Sequence, residues 1–185
     1  GGFHLVCDAK NPGAVSTLRS RKFREDKPFA VMCRDLEEVR AHCDTHGQAE
    51  RLLCSPERPI VLLSRKKGSA MAPGVAPFRK TLGVMLPYSP LHHLLLRGPL
   101  KSLVMTSGNT SDEPIAYKNE DALQRLSEIA DFFLLHDRDI HMRCDDSVVR
   151  VFQHRPYILR RSRGYVPFPV KLSFDMESIL GYGGE

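Results

Sequence analysis

Lys22-Phe23-Arg24-Glu25-Asp26-Lys27 and Ser107-Gly108-Asn109 are the two stretches of this chain whose side chains could do chemistry together. Each lies at the edge of an apolar run. Together they offer three cations, a hydroxyl and a carboxamide. Those groups suffice to neutralise a nucleoside triphosphate and to aim a small acid at its α-phosphorus. A plainer reading stands beside each. Lys22, Arg24 and Lys27 follow a helical pattern and would also serve as helix C-terminal cations, worth under ~1 kcal/mol each. Ser107 and Asn109 are also the residues of an ordinary Asx or Ser turn. Small polar residues directly after an apolar strand stand where α/β sheets hold ligands, but taken alone the second cluster favours the ordinary turn.

A third region, His136 to Ser147, crowds histidine, cysteine and aspartate among arginines. Zinc, a salt-bridge network at a strand edge, and Mg²⁺ held by Asp145 or Asp146 beside a triphosphate are the three readings it allows. His92-His93 lies in a leucine-rich helical pattern and reads as a packing or capping pair. The chain contains no G-x-x-x-x-G-K-[ST], no strand-linked G-x-G-x-x-G and no G-x-S-x-G. A nucleotide would therefore have to be held by side chains rather than by a glycine loop.

The elements that must position these residues alternate between strand and helix. Strands are expected at Phe3–Cys7, Phe29–Cys33, Ile60–Leu63, Leu82–Leu86, Leu103–Met105, Phe132–Leu135, Val148–Phe152 and Tyr157–Arg160. Asn11-Pro12 and Ser89-Pro90 pair a cap with proline at the first helical position, and Asp35 caps another helix. Asn119 is expected to open a fourth, carrying Ala122, Leu123 and Leu126. Gln153 to Pro156 reads as a hairpin loop. Ser64–Thr81, with Lys66-Lys67-Gly68-Ser69 and Pro73-Gly74, has no apolar periodicity and is expected to be a mobile loop. The expected fold is α/β, a twisted mixed open sheet with flanking helices.

Composition bounds the rest. The 185 residues, 42% hydrophobic and 26% charged, suit one soluble domain with a real core. No apolar run approaches the ~20 residues of a membrane span. The five cysteines are scattered without a C-x-x-C pair, which argues against a disulfide framework or thiolate zinc site and makes cytoplasm the expected compartment. The net charge of +5 favours an anionic partner: nucleotide, phosphate metabolite or RNA. Gly1-Gly2-Phe3 starts abruptly in a strand and Ile179–Glu185 stops in a glycine-rich one, as in a domain taken from a longer protein.

The pairing of Lys22-x-Arg24 with Ser107-x-Asn109 resembles the signature of YrdC-like domains. Gly1-Gly2-Phe3-His4-Leu5-x-Cys7-Asp8-Ala9, Leu86-Pro87-Tyr88-Ser89-Pro90, Thr106-Ser107-Gly108-Asn109-x-Ser111, Asp145-Asp146-Ser147 and Arg160-Arg161-Ser162-Arg163-Gly164-Tyr165 narrow the likeness. They are similar to the YrdC-like domain of the HypF carbamoyltransferases of nickel–iron hydrogenase maturation. The likeness covers essentially the whole chain. One departure is Glu25, where the family usually has proline after K-x-R.

The resemblance implies a concave basic cavity, a nucleotide-binding domain over residues 1–175 with its first strand truncated, and a linker into a following carbamoyltransferase domain at 176–185. It implies ATP and Mg²⁺, with carbamate, derived from carbamoyl phosphate, as the acid and carbamoyl-adenylate as the product. Catalysis falls to Lys22, Arg24, Ser107 and Asn109. Lys27, Ser147, Arg160 and Arg163 join them around the nucleotide, and Asp145 and Asp146 are the candidate Mg²⁺ ligands. Implied partners are other HypF domains in cis and a HypE-type maturation protein. Gly1-Gly2 stand where tRNA-modifying relatives carry threonine-binding groups, which suits a smaller substrate. Threonylcarbamoyl-adenylate synthesis and double-stranded RNA binding are the alternatives.

Overall fold

The central strands are short, nearly continuous runs of Val, Ile, Leu and Met, so they must be buried on both faces, while the last strand is exposed along its length. The structure, a computed structural model, describes residues 1–110 and 113–181. Its strands are β1 (His4–Asp8), β2 (Ala30–Cys33), β3 (Cys43–Asp44), β4 (Ile60–Arg65), β5 (Thr81–Met85), β6 (Ser102–Ser107), β7 (Val148–Phe152) and β8 (Arg155–Arg160). The helices are α1 (Pro12–Arg21), α2 (Leu36–His42), α3 (Gly47–Cys54), α4 (Pro90–Leu95) and α5 (Asn119–Arg125). The sheet runs β1-β6-β2-β5-β4-β7-β8, with β3 paired to β4. Pairs β2/β5 and β4/β7 are parallel and the rest antiparallel, so this is an open mixed sheet with flanking helices, as expected.

One sheet face carries Leu5, Val31, Cys33, Val61, Leu63, Leu82, Val84 and Val104, buried with Val15 and Leu18 of α1, Val39 of α2 and Leu53 of α3. The other carries a smaller cluster of Met32, Ile60, Met85, Leu103 and Met105, closed by Leu96 just after α4. Asn11, Asp35 and Ser89 each accept a bond from the third backbone N–H onward, as capping requires.

Three expectations are corrected. Phe132–Leu135 is no strand: Phe132 is 92% exposed and no partner strand lies beside it among the described residues. The 64–81 segment is not a free loop, because β4 and β5 take its ends and Met71, Ala72, Val75 and Ala76 enter the core. Backbone bonds Ala72 N–Ala9 O (2.9 Å) and Phe29 N–Val75 O (2.8 Å) hold it there. Asn119 opens α5 as expected, with Lys118 before it at the cap position without a side-chain bond. The hairpin turn is only Gln153-His154, both at positive φ (48° and 61°), and Pro156 already pairs with Val151. Residues 176–181 are exposed and irregular, and the glycine-rich end at 182–185 lies outside the described residues.

Candidate active site

Small residues in the middle of the second sheet face leave a hollow. Ala30 faces Gly83 on one side and Met105 on the other, and Gly83 faces Leu62, so two of the most central positions have almost no side chain. Leu96 and α4 cover one end of that face. The other end is a cavity of about 290 Å³, with Ala30, Ile60, Leu62, Gly83 and Met105 among its lining. Its wall carries the polar groups His4, Arg24, Ser107, Asp145, Asp146 and Arg160.

The two stretches that opened the sequence reading meet here. Lys22 ends α1 and is 2% exposed. Its Nζ donates to Ser107 O at 2.8 Å, to Asn109 Oδ1 at 2.7 Å and to Asn109 O. Ser107 Oγ donates to the same Asn109 Oδ1 at 2.7 Å, and Asn109 Nδ2 donates to Glu113 O at 2.5 Å. Burial first, and the Arg24 charge second, lower the Lys22 pKa to about 8. Lys22 is thus the cation that shapes the Ser107–Asn109 turn, while Ser107 is the member of that turn facing the cavity. Ser111 of the same motif lies outside the described residues.

Arg24 lines the cavity and is anchored from behind: Nε donates to Lys27 O (3.0 Å), Nη2 to Pro28 O (2.8 Å), and the guanidinium lies over Phe29 at 5.2 Å. Burial, then the charges of Arg19 and Arg160, lower its pKa. Arg160 also lines the cavity, its Nε held by Asp146 O at 2.8 Å.

The turn after Lys22 needs no proline in place of Glu25. Arg19 Nη1 donates to Arg24 O and Glu25 O, both at 2.7 Å, and Nη2 donates to Lys27 O at 3.1 Å. Its Nε donates to Gly74 O at 2.6 Å, tying the turn to the 73–75 segment. Sequence reading missed Arg19 as the positioning residue, since it looks like any other cation in the last turn of α1.

Other expected residues sit elsewhere. Lys27 offers its carbonyl to the turn, and its exposed side chain is not in the cavity wall. Ser147 is fully buried; its Oγ donates to Arg163 O at 2.9 Å and accepts from Ser162 N at 2.7 Å. Arg163 bonds Asp146 Oδ1 (2.7 Å), Glu57 O (3.2 Å) and Arg58 O (2.9 Å), and stacks 3.6 Å above the Tyr88 ring. Both therefore brace the wall rather than line it. Burial works against ionisation of Asp146, but the hydrogen bond and charge of His4 and the charge of Arg163 outweigh it and hold the carboxyl well below the usual range. With Asp146 so engaged, Asp145 is the wall's exposed carboxylate. No group of three or more His, Cys, Asp or Glu suited to a metal exists among the described residues, which disfavours zinc in the 136–147 region. One open carboxylate does fit Mg²⁺ that takes its remaining oxygens from phosphate and water.

Gly1 and Gly2 line the cavity, but close packing rather than emptiness demands them. A Cβ on Gly2 (φ +132°) would stand 2.4 Å from Ile115 Cγ2, and one on Gly1 would meet Met142 O at 2.4 Å. Phe3 N–Ala116 O and Cys144 N–Gly1 O bonds, each 2.8 Å, draw the backbones together.

The sequence model of the Sua5/YciO/YrdC family, described as "Telomere recombination", matches residues 1–162. The chain belongs to that family. Among curated relatives, carbamoyltransferase HypF of Synechocystis sp. is 48% identical over 185 residues, covering 100% of this chain and 24% of its own length. That of Rhizobium leguminosarum bv. viciae is 46% identical over 192 residues, covering 100% and 25%. The chain thus spans about a quarter of the length of the curated relatives it matches. Full-length HypF, solved in its phosphate- and nucleotide-bound form, is 53% identical over 94% of this chain and 27% of its own, with a TM-score of 0.90. P. abyssi Sua5 complexed with L-threonine shares the fold at 14% identity and a TM-score of 0.75, over 87% of this chain and 48% of its own. Within the family, this domain is of the HypF kind. No helix among the described residues is long and apolar enough to cross a membrane.

Proposed function

We propose that this chain binds ATP in the cavity and forms carbamoyl-adenylate from carbamate, as the adenylating domain of a HypF-type carbamoyltransferase. The observation that carries this reading is the meeting of Lys22 with Ser107 and Asn109 beside a cavity walled by Arg24 and Arg160. The nucleotide and phosphate in a relative 53% identical support the choice of ligand.

A carbamate oxygen attacks the α-phosphorus, the new O–P bond forms, and the bond to the β-phosphate oxygen breaks, releasing pyrophosphate. The chain supplies no nucleophile; it aligns the reactants and spreads the charge. Arg24 and Arg160, both in the cavity lining and close enough for their charges to repel, neutralise phosphate oxygens. Ser107 Oγ, placed by its bond to Asn109 Oδ1, turns its one proton from that carboxamide to the α-phosphate or acyl oxygen when the reactants bind, while Lys22 Nζ still satisfies Asn109 Oδ1. Asp145 would hold Mg²⁺ together with phosphate oxygens and water, and the ion would offset the negative charge of the polyphosphate. Lys27, Ser147 and Arg163 act by shaping the walls.

In the longer protein, residues 1–175 form this domain and the following segment leads to the domain that consumes the adenylate. Carbamate then comes from carbamoyl phosphate and the carbamoyl group passes to a HypE-type partner in the cytoplasm, toward the cyanide ligands of nickel–iron hydrogenase. The test is ATP–pyrophosphate exchange by this chain with ammonium carbamate, compared with threonine plus bicarbonate. Carbamate-dependent exchange is expected. Equal or faster exchange with threonine plus bicarbonate, with threonylcarbamoyl-adenylate seen by mass spectrometry, would assign the chain to tRNA modification instead.

A further inference from the structure

Met105, Ala30, Gly83 and Leu62 are paired in turn across β6, β2, β5 and β4, and all four line the cavity. Residues so paired project from one sheet face, so they form a continuous strip of floor over four strands. Ile60 and Val148, partners in the β4/β7 pairing, extend its apolar surface. The two middle positions carry a methyl group and a hydrogen, so the strip is low there and offers a planar ring a place to lie. None of these six side chains has a hydrogen-bonding group.

The backbone of the strip is engaged as well. β2 lies between β6 and β5, and β5 between β2 and β4, so Ala30 and Gly83 sit within ladders on both sides. Around the rim, Phe3 O accepts from Gly108 N (2.7 Å), Ser107 O from Lys22 Nζ (2.8 Å) and Asp146 O from Arg160 Nε (2.8 Å). Phe3 N donates to Ala116 O and Cys144 N to Gly1 O, both at 2.8 Å. The polar side chains of the lining are committed elsewhere. Arg24, Arg160 and Ser107 meet phosphate in the reaction above, Asp145 fits Mg²⁺, and Asp146 holds His4 and Arg163. Cys144 Sγ lies 3.2 Å from Ser162 Oγ. Among the described residues, the floor therefore presents no group that would read the edge of a base.

Adenine and guanine share a purine face and differ only along the edge, in the groups at positions 1, 2 and 6. We infer that the cavity selects its nucleotide by the triphosphate, lays the purine flat on the Ala30–Gly83 floor without reading its edge, and so accepts GTP as it accepts ATP. This rests on the nucleotide-binding reading above and deepens it. A site built to hydrogen-bond a distinguishing group rejects the analogue by roughly 10⁴-fold or more, which apolar contact alone does not achieve. With GTP, the same attack by a carbamate oxygen on the α-phosphorus yields carbamoyl-guanylate and releases pyrophosphate.

Calorimetric titration of this chain with Mg-ATP, Mg-GTP and magnesium tripolyphosphate, which has no base, tests the inference. The two nucleotides should bind with affinities within about tenfold of each other. Ala30→Leu raises the floor under the base and should weaken ATP and GTP alike, roughly tenfold, while tripolyphosphate binds as before and shows that the cavity is still formed. A preference of the wild type for either nucleotide beyond about tenfold overturns the inference and leaves adenylation standing. So does an Ala30→Leu variant that keeps full affinity for both nucleotides, or one that loses all three ligands equally with its fold intact, which would put phosphate over the floor. Should that variant not fold, the wild-type ratio still decides. If the wild-type chain binds none of the three ligands, the adenylation reading falls and this inference falls with it.

Discussion

Arg24→Gln removes one positive charge from the cavity while keeping an amide that can still serve the turn carbonyls. In the folded chain Arg24 is held by Lys27 O and Pro28 O, and its charge is opposed by burial and by Arg19 and Arg160. An incoming triphosphate reverses that opposition. One charge-assisted contact to phosphate is worth about 1.5–3 kcal/mol, so ATP affinity should fall roughly 10- to 150-fold. The ligand-free protein should behave differently. Losing a repelled charge offsets weaker bonds to the two carbonyls, so its melting temperature should hold or rise slightly. Calorimetric titration with Mg-ATP, together with melts in the presence and absence of nucleotide, measures both. The wild type should also lose affinity more steeply with added salt than the variant does. ATP affinity within twofold of wild type, with the fold intact, would refute the assignment. A large fall in melting temperature without loss of affinity would make Arg24 a strut of the turn.

The other residues differ in what they should change. Exchange activity should fall as pH rises through about 8, where Lys22 loses its proton and can no longer serve three acceptors. The fold should not fail with it: the lowered value means the unfolded chain holds the extra proton between about 8 and the ordinary 10.5, so this group's contribution favours the folded state increasingly as pH rises. A flat rate profile through that window would separate Lys22 from the reaction. Ser107→Ala and Asn109→Ala should lower the exchange rate more than ATP affinity, because their contacts strengthen as the transition state forms; equal losses would mark them as plain nucleotide ligands. Ser147→Ala should cost about 1–3 kcal/mol in urea unfolding by stranding Arg163 O and Ser162 N, with ATP affinity little changed. A selective loss of affinity would return Ser147 to the nucleotide.

Where local chemistry decides structure, the sequence was readable. Cap-plus-proline at Asn11 and Ser89, and the cap at Asp35, opened helices where expected, and apolar runs between turns became strands. The meeting of Lys22 with Ser107 and Asn109 followed from the paired motifs of the family resemblance, since residue types alone left the helix-cation and turn readings open. Failures came where tertiary packing decides. Helix α3 has no side-chain cap, and its buried Ala49, Leu52 and Leu53 left too short a pattern to read. Phe132–Leu135 has strand composition, yet finds no neighbouring strand to pair with. The 64–81 segment lacks periodicity because it enters the core through single residues around one 3₁₀ turn. Ser147 and Arg163 look like ligands in a list of polar residues, and only their saturated hydrogen bonds reveal them as braces. Arg19 gave no signal, since its role depends on carbonyls brought close by folding.

The location of the triphosphate tests the central claim most directly. A crystal of this chain soaked with a non-hydrolysable ATP analogue and Mg²⁺ should show phosphate oxygens against Arg24 and Arg160, with the α-phosphate within hydrogen-bonding reach of Ser107 Oγ. A triphosphate bound away from these three residues, or density that leaves this cavity empty at saturating nucleotide, would contradict the account.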